Sequence, residues 1–380
     1  MASIRRSPRN PKNWEVRYRD NAGRQRTETC ASKADANALK SQIETDLRRG
    51  TWIDPALGRM TFGAFVEAKF IPTLVGKAPT TRVGTVSYLR THILPVFGEV
   101  EMAAIDYSMC QEWVNELSTR KASATVVKAA HIMGKVLRVA ARSKVVPYNA
   151  MSEVDLPTID ESEDVYLTPA QVRDLADAME TVAPRYRAIV VVGCNAGLRI
   201  GELAALLWTD VDLVHHRITV ARKVVEVSGL GMTEGKTKTK AGRRIIEIGP
   251  SVVAELERHL ERFPSSGRVF TSPDGTTIRA NNMRRREWAK AVRLAALDPK
   301  PTFHDMRHTA VSLWIVAGAS DMQIASWAGH TNAQFTKSRY GHLFPESGRE
   351  IAGTLDKLMA SATTNPSAEV VALRKQREAQ

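Results

Sequence analysis

Ala124-Thr125-Val126-Val127-Lys128-Ala129-Ala130-His131-Ile132-Met133-Gly134-Lys135-Val136-Leu137-Arg138-Val139-Ala140-Ala141 reads as a helix with two faces. Val126, Ala130, Met133 and Leu137 recur at the spacing of a single apolar stripe. Lys128, Lys135, Arg138 and Arg142 lie seven, three and four residues apart and share a second face. A basic stripe backed by an apolar one suits a helix lying against phosphates. An ordinary amphipathic surface helix would show the same pattern, so the rest of the chain must arbitrate.

The chain as a whole is basic. Its 380 residues hold 54 Lys and Arg against 41 Asp and Glu, a net charge of +13. Such an excess points to a polyanionic partner. The apolar fraction of 43% supports buried cores, and the length suits two or three domains. Three cysteines (Cys30, Cys110, Cys194) with no CxxC pair argue against a disulfide framework or a zinc ribbon. The longest apolar run, Ala188 to Val192, is too short to span a bilayer, and the arginine-rich N-terminus lacks a signal-peptide core. The expectation is a soluble, cytoplasmic, nucleoid-associated protein that engages no membrane.

Working outward, residues 1–26 hold eight basic side chains against Glu15 and Asp20. Trp14-Glu15-Val16-Arg17-Tyr18 alternates like a strand, Asp20 to Gly23 is turn chemistry, and Arg24 to Thr29 reads as the returning strand. Ser32 caps a helix predicted from Lys33 to Arg49. This is a small β-plus-helix module with a basic sheet face. Phe62, Phe65, Val66 and Phe70 then mark a helical region, with a second helix predicted from Thr80 to about Thr91. Pro157 to Asp164 is acidic and reads as a linker. Beyond it Thr168 and Pro169 open a helix. Helices are predicted at about 169–180, 185–195 and 200–207, strands at Arg217–Val227 and Arg243–Ile248, then mostly helix to Met359. The fold class expected is mainly α with small β elements. The domains expected are 1–55, 60–157 and 165–380.

Several stretches carry chemistry. In Gly197-Leu198-Arg199-Ile200-Gly201-Glu202-Leu203, Arg199 begins a helix and can aim a fork of donors at a phosphate, with Glu202 one turn on to hold it. Lys236 to Ile248 reads as two strands joined by a basic hairpin. A lysine at its tip can protonate a leaving alkoxide, and spacing does not choose among Lys236, Lys238 and Lys240. In Thr302-Phe303-His304-Asp305-Met306-Arg307-His308, His304 and Arg307 project from one face of a helix whose buried side holds Met306, Ala310, Leu313, Trp314 and Ala317. His304 and His308 also form a His-x-x-x-His pair of zinc-binding spacing, disfavoured by Asp305 in place of a glutamate base and by the neighbouring Arg307 cation. Ser320 caps a helix that Gly329 ends, aiming His330 outward, and Tyr340 follows in Ser338-Arg339-Tyr340-Gly341-His342-Leu343.

These boxes resemble those of the tyrosine recombinases. Gly-Leu-Arg-x-Gly-Glu-Leu around Arg199, His304-Asp305-Met306-Arg307-His308-Thr309, Trp327-Ala328-Gly329-His330 and the Tyr340 box match in order, from about Tyr166 to Leu358. The hairpin lysine best matched is Lys238, the first lysine of Lys-Thr-Lys-Ala-Gly-Arg-Arg. Ala328 and Gly341 depart from the usual leucine and alanine. Segment 60–157 is similar to the family's core-site-binding domain, and 1–55 to the arm-site-binding module of phage integrases.

The resemblance implies a DNA strand transferase that needs neither metal nor other cofactor. Arg199, Arg307 and His330 would stabilise charge on the scissile phosphate, and Tyr340 would attack it to form a 3′-phosphotyrosine. His304 would accept the tyrosine proton and Lys238 would protonate the departing 5′-hydroxyl. Arg5, Arg6, Arg17, Arg19, Arg24, Lys128, Lys135, Arg138, Arg142 and Arg285 are the DNA-binding candidates. The partners implied are double-stranded arm- and core-type attachment sites, a homotetramer on DNA, a DNA-bending host factor and an excisionase. The rival readings are a type IB topoisomerase-like relaxer and a non-catalytic DNA-binding regulator.

Overall fold

The computed structural model of the chain describes residues 2–20, 23–49, 55–159, 164–236, 243–329 and Tyr340. Two compact units divide the chain, Met1–Ser162 and Glu163–Gln380.

The first unit opens with an antiparallel sheet, β1 (Ser3–Arg6), β2 (Trp14–Arg19) and β3 (Gln25–Cys30), in that order. β1 is a strand the sequence pattern did not announce. The helix Lys33–Arg49 follows, its first turn closed by Ser32 Oγ, which accepts from the Asp35 amide at 3.1 Å. Val16 and Tyr18 are buried with Ala36 and Ile43 in a small core of their own. Directly opposed residues share a sheet face and neighbours alternate. The register Arg5↔Glu15, Ser3↔Arg17 and Arg19↔Gln25 therefore sets Arg5, Arg17 and Arg19 on the face away from Val16 and Tyr18. Arg6, opposite Trp14, belongs to the other face, with its guanidinium 4.8 Å over the Trp14 ring. Arg24 lies outside the strands and its amide donates to Asp20. Of the five arginine candidates for DNA binding in this module, three share that basic sheet face.

Residues 62–74 form a continuous helical stretch, Phe62–Phe65, Val66–Phe70 and Ile71–Leu74 in turn. The predicted second helix runs longer than expected, from Pro79–Tyr88 through Leu89–Ile93 to Leu94–Phe97. Tyr107–Arg120 and Ser123–Arg142 complete the layer. Phe62, Phe65, Val66 and Phe70 are buried, as are Val126, Ala130, Met133 and Leu137. Lys128, Lys135, Arg138 and Arg142 lie outside that core, so the two stripes separate as the spacing requires.

In the second unit the helix Pro169–Val182 starts at a capping box of Thr168 and Gln171. Arg187–Ala196 ends at Gly197, whose φ of +63° a side chain would resist. The expected helix at 200–207 shrinks to the single turn Ile200–Leu203. Strands β4 (Val211–Asp212), β5 (Arg217–Val220) and β8 (Arg244–Glu247) form one sheet; β6 (Arg222–Val227) and β7 (Gly231–Lys236) form another. The expected hairpin across Lys236 to Ile248 is therefore replaced. The turn at Gly229 and Gly231, both at positive φ, closes β6 onto β7, while Ile218 of β5 pairs with Ile246 of β8 in the core. β7 finds its partner locally, so among the described residues the strands on either side of 237–242 belong to different sheets.

Phe303–Val316 and Asp321–Ala328 close the described part of the unit. Ser320 and Gln323 form a capping box at the second, and Gly329 ends it at φ +63°. The Phe303–Val316 helix is buried on more than one side: Asp305, Arg307, His308 and Thr309 join Met306 and Ala310 inside, while Leu313 and Trp314 are half-buried and Ala317 is exposed. Among the described residues no helix is long and apolar enough to cross a membrane.

Candidate active site

Arg199 is the first building block. It sits just before the turn Ile200–Leu203 in extended geometry, and its amide donates to Glu202 Oε2 at 3.0 Å. Its guanidinium donates to Glu202 Oε1 at 3.0 Å and leaves the Arg199 side chain 44% exposed. With one turn of helix behind it, the positioning comes from Glu202 and not from a helix dipole. A cleft of about 530 Å³ opens here, lined by Arg199, Glu202, Lys223, Ile278, Asn281 and Gly329 among others.

Glu202 is itself fastened from behind. Arg244, on β8, donates to both of its oxygens, at 3.2 and 2.8 Å, and both side chains are buried. Burial drives the Glu202 carboxyl pKa upward, but the Arg244 bonds and charge, with those of Arg199, outweigh it and hold the group below the usual carboxylate range. The Arg244 Nε also donates to the Trp327 carbonyl at 2.6 Å. Sequence reasoning passed over Arg244. A signal existed: alternation along β8 sets it on the same side as buried Ile246, while Ile245 is exposed, and a cation on a buried face needs a partner.

Arg307 is 2% exposed. Its guanidinium donates to the Gly197 carbonyl at 3.0 Å and to the Ala328 carbonyl, so it ties the segment before Arg199 to the end of the Asp321–Ala328 helix. Burial first, then the charges of Arg199 and Arg244, push its pKa down to about 9, against the opposing pull of Glu202 and Tyr340. Cations crowded together in this way are what a phosphate-binding site presents to an incoming phosphate.

Tyr340 is almost wholly buried, its ring packed with Val311, Ile315, Ile324 and Ala328. The hydroxyl lies 2.6 Å from His308 Nδ1. On the other side of that imidazole, Nε2 is 3.6 Å from Asp164 Oδ1. His304 is exposed and packs its ring edge-on against His308, with centroids 4.5 Å apart. The expectation that His304 and Arg307 project together into one volume is thus revised: Arg307 points inward to backbone carbonyls and His304 lies at the surface. Sequence reasoning had weighed His308 only as a zinc ligand.

The remaining candidates lie apart. Lys238 and His330 fall outside the described residues. Arg285 is exposed between Arg284 and Arg286, in the turn Arg284–Trp288. In the first unit, Lys128 sits 4.7 Å over the Tyr88 ring, and Thr80, Thr81, Thr85, Lys128, His131 and Lys135 border a groove of about 370 Å³. Hydroxyls beside ammonium groups are suitable ligands for a phosphate backbone.

Known proteins resemble this chain over most of its length. Residues 165–347 match the phage integrase family, and residues 77–118 match the phage integrase N-terminal SAM-like domain. A Mycobacterium tuberculosis protein named as a phiRv2 prophage integrase is 27% identical over 359 residues, 91% of this chain and 92% of that protein. A Tn1549 transposon integrase, solved with circular-intermediate DNA, superposes with a TM-score of 0.67 at 19% identity over 79% of this chain and 99% of the other. A lambda integrase tetramer on a Holliday junction gives 0.58 at 17% identity, over 87% of this chain and 96% of the other. The chain belongs to the phage integrase family of tyrosine recombinases.

Proposed function

We propose that the protein is a site-specific DNA recombinase that integrates or excises a mobile genome through a 3′-phosphotyrosine intermediate. What carries the reading is the gathering of Arg199, Arg307 and Tyr340 in one unit: Arg307 holds the Gly197 carbonyl two residues before Arg199, and Tyr340 packs on Val311 and Ile315 of the helix that carries Arg307. Arg199 offers an exposed, carboxylate-braced fork to a phosphate. Arg307 supplies charge from beneath. As Tyr340 Oη attacks phosphorus, negative charge grows on the non-bridging oxygens, and the two guanidiniums offset it from fixed positions. One phosphodiester is exchanged for another, so the bond energy is kept and a 5′-hydroxyl of a partner strand can reverse the step. Lys238 is assigned as the acid for the departing oxygen and His330 as a further donor to the phosphate.

The DNA surface follows from charge. Arg5, Arg17 and Arg19 are assigned to arm-type sites, with Arg6 and Arg24 at the margin of that sheet. Lys128, Lys135, Arg138, Arg142 and Arg285 are assigned to the crossover site. By analogy with the lambda integrase tetramer on a Holliday junction, four copies would assemble on paired sites. A DNA-bending host factor and an excisionase would set direction, and the work would take place at the nucleoid in the cytoplasm.

A nicked suicide duplex built from the DNA flanking the gene tests the reading. The expected result is a covalent protein–DNA adduct, formed in chelator and lost in Tyr340→Phe. Adduct persisting in that variant would refute the assignment. Recombination of paired sites, as against relaxation of supercoils alone, separates an integrase from a topoisomerase. A non-catalytic regulator would bind without any adduct.

A further inference from the structure

We infer that Lys223 holds the phosphate next to the scissile one, so that the cleft beside Arg199 grips a phosphate–deoxyribose–phosphate unit of the strand being cut; this rests on the recombinase reading above. Lys223 lies on β6 and lines the same cleft of about 530 Å³ as Arg199. The two cations share a rigid frame. Gly201, two residues past Arg199, brings its turn so close to β6 that an added Cβ would stand 2.6 Å from the Val224 carbonyl oxygen. Lys223 is the residue just before Val224. Neighbouring phosphates of one strand advance only about 3.4 Å along the duplex axis, well within the width of such a cleft. Much of the remaining wall is apolar, from Ile200, Val225, Met232 and Ile278, which suits the uncharged sugar joining two phosphates.

The ion pairs around the cleft single out Lys223. Arg222 pairs with Asp210, and with Glu234 at 3.7 Å. Arg268 takes Glu234 at 2.7 Å, Arg279 takes Glu226 at 3.8 Å and Arg244 takes Glu202 at 2.8 Å. The two carboxylates that line the cleft, Glu202 and Glu226, are therefore each engaged by an arginine. Among the described residues no carboxylate pairs with Lys223. Directly across from it on β7 stands Gly235, which has no side chain to offer. A half-buried ammonium without a counter-charge costs free energy until an anion arrives, and a phosphate supplies that anion. Holding a second phosphate sets the register of the strand, and so places the scissile phosphorus against the Arg199 fork before attack. Lys223 transfers no proton; the departing 5′-oxygen takes its proton from a separate acid.

The test crosses a change in the protein with a change in the DNA. The full chain is given the nicked suicide duplex of gene-flanking DNA, unmodified or with a neutral methylphosphonate at each phosphate flanking the scissile one in turn. Duplex affinity by fluorescence anisotropy and the rate of adduct formation are both read. On the unmodified duplex Lys223→Met is expected to weaken binding and adduct formation by about tenfold, and Lys223→Arg to restore most of the loss. At one of the two flanking positions the methylphosphonate should cost the wild type a similar factor, and Lys223→Met should then lose nothing more. Losses that multiply at both positions would overturn the inference, because the lysine would then act elsewhere. So would a Lys223→Met variant as tight and fast as the wild type. A third duplex, with sulfur at the 5′-bridging position, separates positioning from acid catalysis, because a thiolate leaves without a proton. Lys223→Met should remain slow there; recovery would make Lys223 the acid and overturn the inference. If Lys223→Met unfolds, Gly235→Glu decides, with Gly235→Gln as its uncharged control. The new carboxylate stands across from Lys223, where an added Cβ meets nothing within 4 Å. Gly235→Glu should reproduce the loss and its disappearance on the methylphosphonate duplex, and equal behaviour of the two Gly235 variants would overturn the inference. No adduct from the wild type would sink the recombinase reading beneath it, while the affinity cycle would still decide for or against Lys223.

Discussion

Glu202 and Arg244 form an ion pair at 2.8 Å with side chains only 4% and 3% exposed, and the same carboxylate braces Arg199 on its open side. The brace for a surface cation is therefore anchored by a buried one, from a strand 42 residues further along the chain. Breaking one half of a buried pair leaves an uncompensated charge, at a cost of about 3–5 kcal/mol. Arg244→Met should lower unfolding stability by about that much, measured by urea denaturation. Glu202→Leu combined with Arg244→Met should recover most of that stability, because no charge is then stranded. Cleavage should stay impaired in the double variant, because Arg199 no longer has its brace.

The depressed carboxyl of Glu202 has a pH signature. Its folded pKa lies below the ordinary value of about 4.3. Its contribution is then fully present above that ordinary value and is lost as pH falls through the folded pKa. The wild type should lose stability more steeply than Glu202→Gln below about pH 4.3. Parallel urea curves from pH 6 to 3 give the comparison, and equal slopes would contradict the sign.

The cationic crowding at Arg307 should be relieved by an oxyanion. Sulfate at constant ionic strength is expected to raise the thermal midpoint of the free protein. At a concentration tenfold above its Kd the stabilisation would be about 1.4 kcal/mol. Chloride should do nothing comparable, and Arg307→Met should abolish the response. Calorimetry in matched salts reads the difference.

Gly201 permits the turn behind Arg199 to lie close to β6. A Cβ there would stand 2.6 Å from the Val224 carbonyl oxygen, a backbone atom that no rotamer change can move. Gly201→Ala should therefore cost about 1–3 kcal/mol, the usual range for overpacking. Adduct formation should fall with it, because the shift is imposed two residues from Arg199. Unfolding midpoints and suicide-substrate rates measure the two effects.

Lys128 and Lys135 border the same groove. If both meet phosphates, Lys128→Ala with Lys135→Ala should weaken core-site binding across sequences. The slope of log K against log salt should become shallower by about 0.9 for each phosphate no longer neutralised. Fluorescence anisotropy across a salt series reads the slope, and an unchanged slope would remove this helix from the interface.

The amphipathic helices were legible because their information is local. The stripes of Ser123–Arg142, the Thr168 and Ser320 caps and the left-handed stops at Gly197 and Gly329 each arise within a few residues of backbone. Arg199, Glu202, Arg307 and Tyr340 could be singled out for the same reason, each by its own short box. Strand partnership was not local. Whether β7 pairs across Lys238 or back onto β6 depends on which apolar faces the core claims, and the glycine turn before β7 decided it.

The sequence by itself determined the helices, the surplus of positive charge and the order of the chemical groups, since periodicity and spacing are properties of the chain. Tertiary structure alone decided which side chains meet. It buried Arg244 behind Glu202, turned Arg307 inward and set His308 instead of His304 against the Tyr340 hydroxyl. Neighbouring histidines four apart look equivalent along a helix. What separates them is which side faces solvent and which faces the segments carrying Asp164 and Tyr340, and packing settles that only once the chain has folded.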